Sequence, residues 1–149
     1  MPAFVVKHLV ADHGSLTANL RDIRRTPYSF TSKHGEAHSA ANGNLVYVVE
    51  VHRAKGSTTY RLGYKYRAFE VFKRPGTALW KDEFVYKNSA IPGDHAEGAY
   101  FESPVEVGDD ELNAWLLGLP PGMSEIPAQF LPTFDALVDE PANGAKMFA

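Results

Sequence analysis

The run Leu45-Val46-Tyr47-Val48-Val49-Glu50-Val51 constrains the fold more than any other stretch. It is short, rich in β-branched residues, and apolar at odd and even positions alike. That pattern predicts a strand covered on both faces, at the centre of a sheet. A Lys55-Gly56-Ser57 turn follows, then a long alternating segment, Thr58–Lys73. With a period of two, Tyr60, Leu62, Tyr64 and Tyr66 fall on one face and Arg61, Lys65 and Arg67 on the other. The phase slips further on, where Phe69 and Val71 are apolar on the formerly polar side. A bulge near Ala68, or a break into two strands, accounts for the slip.

Weaker signals fill in the rest. Val5–Val10 reads as a short strand. Turn and cap residues at Asp12, Gly14 and Ser15 introduce a helix near 15–25, with Leu16, Leu20 and Ile23 at helical spacing and Pro27 ending it. Tyr28–Ser32 reads as a second strand, followed by a helical turn through Gly35–Ala41 and an Asn42-Gly43-Asn44 turn. Glu83–Lys87 and Ala99–Phe101 add two strands. Beyond Gly108, Asp109 or Asp110 caps a helix striped by Leu112, Trp115, Leu116 and Leu119, which Pro120-Pro121-Gly122 stops. A last amphipathic piece carries Phe130, Phe134, Leu137 and Val138, interrupted by Pro132, and residues 141–149 are expected to fray.

The class is therefore α+β. The expected sheet is mixed and mostly antiparallel, with short N-terminal helices and a C-terminal helical segment. The 149 residues suit one domain. Within it we expect an α+β core over 1–107 and an acidic helical segment over 108–149 packed on the same domain.

Composition excludes several classes. Aromatic residues make up 12% of the chain, which argues against disorder. No stretch approaches the roughly 18 consecutive apolar residues of a membrane span. There is no cysteine, so disulfides, thiol catalysis and thiolate metal sites are excluded. The first residues lack the basic-then-apolar layout of a secretory signal, and the expected location is the cytoplasm.

Charge is split along the chain. Residues 1–101 hold 14 Lys and Arg against 9 Asp and Glu, and all six histidines, whereas residues 102–149 hold 1 against 9. A net +5 followed by a net −8 suits a phosphate-bearing ligand or nucleic acid near the first part, or an acidic tail folded over a basic face. Two ordinary solvated surfaces would produce the same split.

The chain has no P-loop, GxGxxG, GxSxG or HExxH motif. His34 and His38 stand at i, i+4 but lack a third ligand in register, so no metal site is expected. His8 and His13 are candidates for the base and acid of a metal-free nuclease. Arg61, Lys65 and Arg67 form a candidate stripe for tracking phosphates.

One pattern spans three segments. His8 lies on the first strand. Tyr28-Ser29-Phe30-Thr31-Ser32 runs into a short Ala/His-rich helix and then the Leu45–Val51 strand. Glu83 leads Glu83-Phe84-Val85-Tyr86, followed by Ile91-Pro92-Gly93 and Gly98-Ala99. In this order the chain resembles the ADP-ribosyltransferase superfamily, over about residues 4–101.

The resemblance implies a split sheet, NAD as co-substrate, and transfer of ADP-ribose to a protein or nucleic-acid acceptor, in the manner of a toxin or effector. Glu83 would hydrogen-bond the nicotinamide ribose and stabilise the oxocarbenium-like transition state. Ser29, Thr31 and Ser32 would hold that glutamate and the ribose in place. His8 would grip the NAD ribose or phosphates, and Tyr28 or Tyr47 would stack on nicotinamide. Transferases that modify arginine or asparagine often carry Gln or Glu two residues before the catalytic glutamate, but here Lys81 stands there. The alternative reading is a non-catalytic inhibitor or accessory factor, binding a host or cognate protein through its basic stripe or its acidic C-terminal helices.

Overall fold

A computed structural model describes residues 2–10, 28–31, 40–41, 43–71, 86–90, 98–120 and 123–147. The strands are β1 (Ala3–Leu9), β2 (Tyr28–Thr31), β3 (Leu45–Ala54), β4 (Ser57–Val71), β5 (Tyr86–Ala90), β6 (Ala99–Glu106), β7 (Met123–Glu125) and β8 (Lys146–Met147). Among the described residues two α-helices follow the main strands: α1 (Asp110–Leu117) and α2 (Leu131–Asp139). The helices expected near 15–25 and 35–41 lie outside the described residues, apart from Ala40 and Ala41.

The sheet runs β2-β5-β4-β3-β1-β7, with β6 on β4 and β8 on β6. It is mixed and mostly antiparallel: among the described strands, only the β1–β3 pair is parallel. The Leu45 run takes the interior place its composition demands, between β1 and β4, and Val46, Tyr47, Val48, Val49 and Val51 are all buried. The β3–β4 connection is a two-residue turn with positive φ at Lys55 and Gly56 (33° and 81°). That twist matches the flanking strands, and it is why glycine follows the lysine.

β4 is bulged at Gly63, and its pairing runs through Ala68, where the bulge was expected, without an extra residue. Val48 faces Tyr64 and Val49 faces Leu62, so Gly63 is the extra residue, and the β4–β6 register shifts at the same place. One inserted residue turns every later side chain to the opposite face. Tyr60 and Leu62 therefore belong to one core layer, with Ala3, Val5, Tyr47, Val49 and Val51. Tyr64, Tyr66 and Ala68 belong to the other, with Phe4, Val6, Val46 and Val48. The expected four-residue aromatic face is thus divided. So is the expected basic stripe: Lys65 and Arg67 share the first face, whereas Arg61 is on the second.

The C-terminal segment covers the first face. Asp109 Oδ1 accepts from the Leu112 amide at 2.8 Å and caps α1. Leu112 and Leu116 are fully buried there, with Trp115 and Leu119 packed beside them. A 3-10 turn at Ala128–Phe130 leads into α2, where proline occupies the first turn, the one helical place that tolerates its missing donor. Phe130 and Phe134 complete the layer.

Residues 141–147 do not fray as expected. A 3-10 turn at Pro141–Asn143 ends at Gly144 (φ 68°), and β8 then pairs with β6, with Lys146 Nζ on Glu102 Oε1. Among the described residues no helix is long and apolar enough to cross a membrane.

Candidate functional site

Glu50 is the one charged side chain in the described core, 2% exposed in the middle of β3. A carboxylate so placed needs partners, since burial without them costs several kcal/mol on the order usual for ions. The strand registers supply neighbours on both sides. His8 is the parallel partner of Glu50 on β1, and Arg61 its antiparallel partner on β4. Neighbouring strands stand ~4.8 Å apart, and side chains at paired positions share a face. Even-numbered residues of β1 and β3 point to the second face, as Phe4, Val6, Val46 and Val48 show. His8, Glu50, His52 and Arg61 therefore all project from the face opposite α1 and α2.

The contact in this group is specific. His52 Nε2 lies 3.1 Å from Glu50 Oε1. The imidazole is 31% exposed at its side chain, whereas the carboxylate is sealed. With Nε2–H donating to the carboxylate, Nδ1 keeps its lone pair. A buried carboxylate thus orients a solvent-reachable imidazole, the arrangement that suits proton transfer. His8 is half-buried and Arg61 is exposed, as are Arg53 and Lys55 in the adjoining hairpin. Glu106 on β6 stands across from Arg61 in register. Among the described residues no group of three or more His, Asp or Glu is arranged to hold a metal ion.

The other expected site residues fall elsewhere. Tyr47 is on the first face, 1% exposed and covered by α2. Its ring packs on Phe134 with centroids 5.0 Å apart, Lys65 Nζ lies 5.9 Å above it, and its hydroxyl donates to Asp135. Burial, the hydrogen bond and the Asp135 charge all push its phenol far above the ordinary value. The sheet itself separates Tyr47 from His8, so the structure does not bring the two together.

Tyr28, Ser29 and Thr31 are on β2, paired with Ser89, Asn88 and Tyr86 of β5. Along the pairing path β5, β4 and β3 intervene between that strand and His8. Glu83, Ser32, His13, His34 and His38 lie outside the described residues.

Sequence reasoning found His8 but passed over Glu50 and His52. The signal was present: a lone carboxylate inside a run that reads as buried on both faces must have been given partners. Compared with models of protein families, with curated proteins and with solved structures, the chain matches none.

Proposed function

We propose that the protein is an enzyme that uses NAD, breaking the nicotinamide–ribose bond and transferring ADP-ribose to a macromolecule. The observation that carries this reading is the position of His8. The ADP-ribosyltransferase resemblance gives that position the grip on the NAD ribose or phosphates, and His8 is half-buried near the end of β1, with the sealed Glu50 at its register position on β3 and the exposed Arg61 one strand further, on β4. Imidazole and guanidinium groups together suit a pyrophosphate. Cleavage of the glycosidic bond builds positive charge on the ribose, which a fixed carboxylate stabilises more in the transition state than in bound NAD. Glu83, ahead of β5, keeps the role that the resemblance assigns it, with Ser29, Thr31 and Ser32 as its supports.

Two substitutions test the assignment. His8→Ala should weaken NAD binding about tenfold or more in calorimetry, a loss of roughly 1.4 kcal/mol. Glu83→Gln should abolish nicotinamide release while leaving the thermal transition in place. Turnover unchanged in Glu83→Gln would remove that residue from the site.

A second reading, a protein-binding factor, has one observation in its favour. Leu117 is 63% exposed in the last turn of the acidic helix α1. Deleting 108–149 would strip Leu112, Leu116 and Phe134 from the core, so a point change is the cleaner test. If α1 docks a partner, Leu117→Asp releases it without unfolding the protein.

A further inference from the structure

We infer that Glu50 and His52 form a proton-accepting dyad, and that the acceptor it serves is a hydroxyl group. This rests on the NAD reading above and adds the acceptor class to it. The pair has the required geometry: a 2% exposed carboxylate, a 3.1 Å contact to Nε2, and an imidazole side chain that is 31% exposed. A buried carboxylate fixes the tautomer and the ring plane and stabilises the imidazolium that forms on proton capture.

The chemistry of the acceptor follows from what a base is needed for. A carboxylate acceptor has no proton to lose and needs no base. A guanidinium acceptor would arrive as a cation beside Arg61, exposed on the same face as His52, with the Glu106 carboxylate across from Arg61 offsetting part of that charge. A hydroxyl is neutral, weakly nucleophilic until deprotonated, and suited to one imidazole.

In the step, the hydroxyl oxygen bonds to the ribose C1 as the bond to nicotinamide breaks. Nicotinamide departs neutral with the bonding electron pair, and the hydroxyl proton passes to His52 Nδ1. The hydroxyl comes from water or from a macromolecule. Water yields free ADP-ribose, and a macromolecular alcohol yields a glycosidic link that resists hydroxylamine.

The test uses the full chain with labelled NAD, first with water and protein hydroxyls as acceptors and then with added azide, an anion with no proton to give up. His52→Ala should lower turnover to hydroxyl acceptors by about 10²-fold or more at an unchanged KM for NAD. Added imidazole should restore part of that loss, and azide should be consumed at the wild-type rate. Glu50→Gln should lower kcat in the same direction and leave azide turnover intact.

Equal hydroxyl turnover in wild type and His52→Ala overturns the dyad and leaves the NAD reading standing. Loss of azide turnover as well assigns His52 to binding or folding and overturns its role as a base. A transferred label that hydroxylamine releases overturns the hydroxyl assignment. No NAD turnover by wild type with any acceptor removes the NAD reading, and the acceptor class with it.

Discussion

Lys7 Nζ, from the second half of β1, donates to the carbonyl oxygens of Leu116 and Leu119, at 3.0 and 2.9 Å, at the end of α1. The helix has no basic residue in its own last turn. The Leu116 carbonyl, which also accepts from the Leu119 amide, and the negative end of the helix dipole are therefore met by a side chain from the sheet, more than 100 residues earlier. Burial, and then the Arg53 charge, hold the Lys7 ammonium below its ordinary pKa, so the site carries a desolvation cost that the two hydrogen bonds offset. Lys7→Met should lower stability by about 1 to 2 kcal/mol. In urea unfolding, the midpoint should fall with little change in slope. An unmoved midpoint would contradict this docking.

Tyr47 gives the fold a dependence on alkaline pH. Its phenol is pushed up by burial first, then by its hydrogen bond to Asp135. In the unfolded chain it ionises near pH 10. Below that pH both states hold the proton and the contribution is intact. Above it the unfolded chain loses the proton that the folded protein keeps, so stability falls as pH rises. Tyr47→Phe should remove this part of the alkaline decline and cost about 1 kcal/mol at neutral pH through the lost hydrogen bond. Identical alkaline unfolding curves for the two proteins would refute it.

The C-terminal helices unfold with the sheet. Phe134 is fully buried against the first face, packed on Tyr47. Phe134→Ala should cost about 3 to 5 kcal/mol. Circular dichroism and tyrosine fluorescence should report one shared, lowered transition. Separate transitions for helix and sheet would show instead that the segment is an independent appendage.

The β3–β4 hairpin depends on its turn. Gly56 has φ 81°, a conformation costly for a residue with a Cβ. Gly56→Ala should lower the melting free energy by about 1 kcal/mol, measured by thermal unfolding. No loss would mean that the turn adopts another type.

Strand positions and helix stripes were legible because burial periodicity is local. The Leu45 run, the Leu112–Leu119 stripe and the Asp109 cap all follow from neighbours within a few residues. The Gly63 bulge was not legible, because Tyr60, Leu62, Tyr64 and Tyr66 alternate across it as though the strand were regular. Sequence placed a bulge where the apolar pattern changes, near Ala68, but the pairing partners Val48 and Val49 put it at Gly63. Pairing partners are not contained in the strand's own sequence. Neither were β8 and the Lys7 contact, which join residues distant along the chain.

For the site, His8 stood out by residue type, and Glu50 was signalled as a lone carboxylate in a run apolar on both faces, but its register neighbours His8 and Arg61 follow only from β3 lying between β1 and β4. Tyr47 shows the reverse problem, because an aromatic in a central strand is as readily core as ligand platform. Here α2 covers it.

NAD use by this protein is decided by nicotinamide release from NAD by the purified wild-type chain, followed by chromatography beside His8→Ala and Glu83→Gln. Wild type should release nicotinamide steadily, His8→Ala should release less at low NAD concentration, and Glu83→Gln should release none. NAD left intact by wild-type protein, with no binding heat on titration, would contradict NAD use.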